Sequence, residues 1–447
     1  MKKVSVIAAA VAATLAAGSA FAVDFNGYMR AGTGISANSG SDVSVNKNGI
    51  GRLGNENDNY SEFGFAEELK TGEQTWRLES MIAAGRDGKK GWEDGDVNIA
   101  QFAVKAKGVL AFDRDATLWA GKTYYQRKDI HITDFYFLNT SGTGGGIENI
   151  SLGNQKLSLA LLQDNGSQKV DTTDVNYKLT DAAAASIKAC NGNPGCIAAI
   201  EGASGSYVAD GFKTKDEEVN GFIFDARLAN IGLWEDASLE LALAYNFAAE
   251  SNGQTAKADD GLLATAVLHQ GMSNGFNQTV LQYGTNGYGV QAANFWGAGA
   301  YYDRSGDQNG AKGYRVINWG VMNLGESWEM GHQLAYLAGA DIGTSKLDID
   351  QYSVVARPMY KWNDTMRTIF EAGYNAGEKI NKAGTAVEDF GNTKFTVAQA
   401  WAMGDSFWAR PEIRVYGSYI SDLENKDAFG TGKDNEFVAG IQVEAWW

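Results

Sequence analysis

Between Gln126 and Phe137 the chain reads QRKDIHITDFYF, which brings Arg127, Asp129, His131, Asp134 and Tyr136 within ten residues of one another. Carboxylates accept and a guanidinium donates hydrogen bonds to hydroxyl groups, while a phenol ring offers an apolar edge, so the group suits a polyhydroxylated ligand. A histidine beside carboxylates also suits general-base catalysis, and an ordinary solvated, salt-bridged loop would carry the same residues. Against catalysis, the chain has only three histidines (His131, His269 and His332) and neither a G-x-S-x-G elbow nor an H-E-x-x-H helix. No histidine or cysteine spacing matches a common zinc site, so no metal and no cofactor are expected. The glycines that follow, Gly142 to Gly146 in SGTGGG, lack the G-x-G-x-x-G pattern and read as a flexible loop hinge.

A second signal is aromatic rings that share a face with charge. Tyr28 alternates in register with Asp24, Asn26, Arg30 and Gly32, opposite Val23, Phe25, Met29 and Ala31. Tyr60 shares a face with Glu62, Gly64 and Glu68, opposite Phe63, Phe65 and Leu69, and Trp446 shares one with Gln442 and Glu444. A ring turned toward water can lie against the apolar face of a pyranose while charged neighbours take its hydroxyls. Each such contact is worth about 0.5–1.5 kcal/mol, so several in a row bind weakly and reversibly, as transport requires.

Those faces exist only if the chain forms strands, because side chains alternate with a period of two there. The C-terminus shows the alternation most fully: Phe437, Ala439, Ile441, Val443, Ala445 and Trp447 on one face, Glu436, Gly440, Gln442, Glu444 and Trp446 on the other, with Val438 the exception. The parity recurs at Leu239 to Phe247 and at Ile413 to Tyr419. A soluble sandwich and a lipid-facing barrel both alternate, so parity alone leaves the two open. Composition favours the barrel, with 55 Gly, 3 Pro, 12 Trp, 19 Tyr and 20 Phe, the profile of many strands, tight turns and aromatic girdles.

The export signal agrees. Lys2 and Lys3 precede a largely apolar stretch from Val4 to Ala17, and Ala20-Phe21-Ala22 fits the small-residue cleavage rule, so residues 1–22 read as a signal peptide cut between Ala22 and Val23. No later apolar run is long enough for a spanning helix. Residues 23–447 then make a single transmembrane barrel domain, and about 20–25 residues per strand and connection give roughly 16–20 strands. Loss of the leader moves the formal net charge from −16 to −18, which argues against a nucleic-acid partner. Cys190 and Cys196, the only two cysteines, read as one small disulfide loop in an exported chain. They sit in an Ala-rich, helix-prone stretch, Thr180 to Gly202, which is expected in a long external loop.

Taken in order, VDFNGYMRAG, RLGNENDNY, LWAGKTYYQRKDIHITDFYF, SGTGGGIENI, GFNQTVLQY, RPMYKW, AQAWAMGDSFWARPEIRVY and EAWW resemble the maltoporin family of sugar-specific outer-membrane porins. The resemblance implies an all-β, antiparallel transmembrane barrel of about 18 strands, set in outer-membrane lipid, assembled as a homotrimer, with the third loop folded into each pore. It implies passage of maltose and maltodextrins along an aromatic slide of Tyr28, Tyr60, Trp92, Phe276, Trp362 and Trp446, with Trp92 reaching in from a neighbouring subunit. The polar track would comprise Arg30, Arg52, Glu62, Arg127, Asp129, His131 and Asp134, and Tyr136 would form the constriction.

Departures from the family pattern are visible. The stretch after Trp92, EDGDVNIAQF, has no arginine where the family commonly places one, Asn139 replaces an acidic residue, and Asn57 stands at a family cysteine. Sucrose-accepting relatives carry an N-terminal extension and alter the positions matching Arg127 and Tyr136; both residues are kept here, which favours maltodextrin. A porin for sucrose or a β-glucoside, a general diffusion porin and an outer-membrane enzyme are the alternatives.

Overall fold

The computed structural model describes residues 23–86, 96–191, 193–203, 205–248, 257–295, 302–304 and 306–447. The leader and Trp92, with the residues immediately after it, lie outside the described residues. From Asp24–Ser36 to Asn435–Trp446 each barrel strand pairs antiparallel with the next, and the last pairs back onto the first, so 18 strands among the described residues close into one sheet. The seam is in register from Tyr28 opposite Trp446 to Ser36 opposite Val438. Closure leaves no unpaired edge, the condition for a sheet to span hydrocarbon.

Closure also decides between the two readings of the parity. In the last strand Glu436, Gln442 and Glu444 are 1%, 4% and 2% exposed, whereas Phe437, Ile441 and Trp447 on the opposite face are 49%, 48% and 45% exposed. The polar face is therefore the crowded interior and the apolar face the outside, the reverse of a sandwich. Exposed aromatics gather toward the two strand ends: Phe247, Tyr314, Tyr352, Tyr419 and Phe437 at one, Phe25, Trp234, Trp328, Trp362 and Trp447 at the other. These are the two girdles of a membrane barrel. The second end carries the short turns, such as those between Thr71 and Gln74 and between Leu152 and Gln155, together with both chain ends of the barrel. By the rule of short periplasmic turns and long external loops, it faces the periplasm.

Two irregular segments resolve differently. Thr180 to Gly202 forms the expected external structure: Gln155–Leu179 and Tyr207–Trp234 make a hairpin of strands 25 and 28 residues long. Helices Asp181–Ala189 and Pro194–Glu201 cap it, and the Cys190–Cys196 disulfide ties them. The Thr180 side chain caps the first helix by accepting from Ala183 N. Gly142 to Gly146, by contrast, is no hinge. It lies in the barrel strand Gly142–Leu152, paired on both sides from Gly142 opposite Thr123 and Gly144 opposite Leu162. A Cβ on Gly144 or Gly146 would come within 2.0 or 2.3 Å of a carbonyl oxygen of the adjacent strand, so this wall requires glycine for close backbone approach.

The third connection on the loop end, residues 124–141, turns into the lumen. Lys128–Ile130 and Phe135–Leu138 pair as a small hairpin around the 3₁₀ turn His131–Thr133, and Asp134 closes that turn in the left-handed region, at φ 49°. Its Ile130, Ile132, Phe135, Phe137 and Leu138 are buried in one apolar cluster with Val280, Ile317, Val321, Val355 and Phe407 of the surrounding wall. Polar anchors fix the loop on the same side. Thr133 donates to Gln333 at 2.7 Å, Gln282 to the Phe137 carbonyl at 2.8 Å, Arg357 to the Ile132 carbonyl at 3.0 Å and Lys128 to Glu240 at 2.8 Å.

Candidate functional site

With its apolar side pinned, the third loop turns His131, Asp134 and Tyr136 toward the opposite wall, where the first loop folds back and the barrel seam lies. The first strand supplies Tyr28 and Arg30 from its inward face, and the second supplies Tyr60 and Glu62. The Tyr28 and Tyr60 rings are 6.2 Å apart, and the Arg30 guanidinium lies 5.1 Å from the centre of the Tyr60 ring. Tyr60 donates to Glu62 at 2.6 Å, and Tyr28 donates to Glu444 at 3.0 Å while accepting from Arg52 at 2.9 Å.

Charge is balanced pair by pair along this wall. Arg30 holds Asp58 through two hydrogen bonds of 2.8 and 2.6 Å, and Lys47 bridges Glu56 and Asp134, the latter at 2.7 Å. Arg52 donates to Glu56 at 2.5 Å and lies 3.0 Å from Glu444, which also accepts from Arg410 at 2.9 Å. Desolvation would raise the Asp134 carboxyl, but Arg52, Lys47 and Arg30 outweigh it and hold it below the ordinary range. Ordered, fully paired side chains of this kind present fixed donors and acceptors to whatever passes.

His131 sits at the centre, with its ring edge-on to Trp446 at 5.5 Å and also 5.5 Å from Trp408. Arg410 lies 3.2 Å from its Nε2 and 4.4 Å from the centre of the Trp446 ring. Burial holds the imidazole well below its usual pKa; Glu444 opposes this, and Arg52, Arg410 and Arg357 add to it. Across the opening, the Arg127 guanidinium is held between Tyr124 and Tyr136, 4.1 and 4.3 Å from the ring centres. Burial raises the Tyr136 phenol, so it stays a neutral hydroxyl. Asp129 is exposed on the same loop.

Toward the periplasmic end, Phe276 faces inward between His269, stacked at 5.9 Å, and Trp319, edge-on at 5.1 Å. Trp362 does not join these rings. Its side chain shares the outward face of Tyr352, Val354 and Tyr360, packs on Tyr360 at 4.8 Å and donates to the outward Thr368 at 2.8 Å. It belongs to the outer girdle, and the ring present on the lumen side is Trp408. Trp408 lies in the irregular connection 403–411, where no strand parity exists to reveal it. Lys47, Asp58 and Arg410 carried no such signal in the sequence, because Lys47 reaches Asp134, Asp58 reaches Arg30 and Arg410 reaches Glu444, all distant in the chain. Glu444 had a signal, its shared face with Trp446. At Asn57, hydrogen bonds stand where the resemblance implies a cysteine: Tyr416 and Gln442 donate to its carbonyl oxygen at 2.9 and 3.1 Å, and its amide donates to Asp42 at 2.5 Å.

A closed barrel with a loop folded into a charged, aromatic-lined lumen is the build of an outer-membrane porin. The chain belongs to the LamB porin family, whose profile matches residues 23–447. It is 66% identical to a maltoporin of Vibrio cholerae serotype O1, covering 100% of both chains, and 41% identical to a maltoporin of Photobacterium profundum, covering 95% of this chain and 94% of that one. Among solved structures, the trimer form of OmpT, an outer membrane protein of Vibrio cholerae, aligns over 95% of this chain and 99% of that chain, with 11% identity and a TM-score of 0.44.

Proposed function

We propose that this porin, a channel rather than an enzyme, passes maltose and maltodextrins by facilitated diffusion and assembles as a homotrimer. The observation that carries the reading is the pairing of rings with fixed polar groups on one lumen wall: Tyr60, Tyr28, Trp446 and Trp408 beside Glu62, Arg30, Arg52, Asp134 and His131. A pyranose of an α-glucan slides with its apolar face on the rings while its hydroxyls exchange among those donors and acceptors. Phe276 continues the path toward the periplasm. Arg127, Asp129 and Tyr136 line the opposite side of the narrows, and Trp92 supplies a ring from a neighbouring subunit. Residues 1–22 are removed on export. The 66% identity to a maltoporin over the full length supports the substrate class.

Liposome swelling tests it: maltotriose should enter several times faster than raffinose, a trisaccharide of equal mass. Equal rates would make the pore a general one. Unheated samples in detergent gels should run well above the 48.0 kDa of a single chain and collapse on boiling, and a monomer would remove Trp92 from the path.

A further inference from the structure

The third loop leaves the barrel wall at one bend and rejoins it at another, and a single side chain reaches both. Arg227 points inward from the strand Tyr207–Trp234 and is 1% exposed. Its guanidinium donates to the Gln126 carbonyl at 2.5 Å on the outgoing bend and to the Thr140 hydroxyl at 3.1 Å on the returning one. Two further hydrogen bonds, of 2.9 and 3.0 Å, tie it to Asp225, which also accepts from Thr140 at 2.8 Å. A planar guanidinium presents its donors in a fixed fork, so these three partners are held in one arrangement.

The outgoing bend needs such a hold. Gln126 has φ 40°, a left-handed conformation that a non-glycine residue keeps only where its surroundings impose it. Just ahead of it, the buried Tyr125 ring stacks on Trp119 at 5.3 Å and lies 5.2 Å from the Arg227 guanidinium. The residue that follows the bend is Arg127, held between the Tyr124 and Tyr136 rings. The anchors at Lys128, Ile132, Thr133 and Phe137 fix the middle of the loop. The direction in which the chain leaves the wall, and so the place of Arg127, is set at Gln126.

We propose that Arg227 is a positioning residue for the narrows. By clasping both ends of the third loop it fixes Arg127, and with it the width of the opening, while its own burial keeps it out of contact with what passes. The consequence for sugar rests on the sugar-porin reading; the consequence for ions does not.

Single-channel recording tests it. Arg227→Lys keeps a positive charge for Asp225 but loses the fork. It should make the sugar-free open current flicker and raise the half-blocking concentration of maltotriose roughly two- to tenfold, as for one lost hydrogen bond. Thr140→Val cuts only the returning bend and should shift both readouts in the same direction, and Thr140→Ser should restore them. Arg304→Lys controls for the loss of a buried guanidinium as such. Arg304 is 3% exposed and donates to Asp164, Asn246 and the Tyr302 carbonyl, none of them in the third loop, so current and block should stay as in the parent. Steady parental current and block in Arg227→Lys, or the same flicker and shift in Arg304→Lys, would overturn the assignment and leave the sugar-porin reading standing. A parent channel that maltotriose does not block would overturn that reading instead, and the sugar-free current would still decide the role of Arg227. Heat-modifiable migration verifies each barrel; should Arg227→Lys form none, the Thr140→Val current decides.

Discussion

Trp446 and Trp447 are chain neighbours that a period-2 strand sends to opposite sides of the barrel wall, which makes them a matched pair. Trp446 meets His131 at 5.5 Å and Arg410 at 4.4 Å inside the lumen; Trp447 is 45% exposed outside and packs on Phe25 at 5.6 Å and Phe63 at 6.1 Å. Trp446→Ala removes one sugar-stacking surface and no membrane contact. It should cost about 0.5–1.5 kcal/mol of maltodextrin binding, which is roughly a two- to twelvefold rise in the half-blocking concentration. Trp447→Ala removes two ring contacts from the periplasmic girdle, about 1–3 kcal/mol of barrel stability, with little change in sugar block once inserted. Current-block titration with maltohexaose reads the first effect, and the midpoint of heat-modifiable gel migration reads the second. If Trp447→Ala were the sugar-binding mutant and Trp446→Ala the unstable one, the register of the closing strand would be wrong by one residue, and every lumen assignment on it would fall.

Tyr136→Ala should raise ion conductance and weaken maltodextrin block roughly two- to tenfold, since the Arg127 sandwich loses one ring; unchanged conductance would move Tyr136 out of the narrows. Trp408→Ala should weaken block by a similar factor while Trp362→Ala leaves it alone and lowers stability instead, and the opposite outcome would return Trp362 to the lumen. His131, kept neutral by burial and the surrounding guanidiniums, should not titrate between about pH 7.5 and 6.0 in the folded channel, so maltotriose block should be flat across that window. The unfolded chain takes up this proton near pH 6.5, so the residue costs stability only as pH falls below that value. A rise in the half-blocking concentration with a midpoint near 6.5 would show His131 charged in the pore.

What could be read from the chain was whatever alternation carries. Tyr28, Tyr60 and Trp446 declared their side by sharing a face with Arg30, Glu62 and Glu444. Which face is inside was decided only by closure, when Asp24–Ser36 paired with Asn435–Trp446. Glycine has no side chain to alternate, so Gly142 to Gly146 looked like a loop although it is a wall strand. Trp362 followed the RPMYKW motif into the lumen, yet its parity with Tyr360 pointed outward all along. The ion-pair network was out of reach for another reason: Tyr28 and Glu444, 416 residues apart, become neighbours only because the barrel closes.

Binding of maltodextrins to the lumen wall as they pass is read out by titrating maltotriose, maltohexaose and sucrose separately against the current of a single reconstituted channel. Saturable block by both maltodextrins is expected, tighter for the longer one, with far weaker block by sucrose. A current that falls only in proportion to solution viscosity, alike for all three sugars, would contradict it.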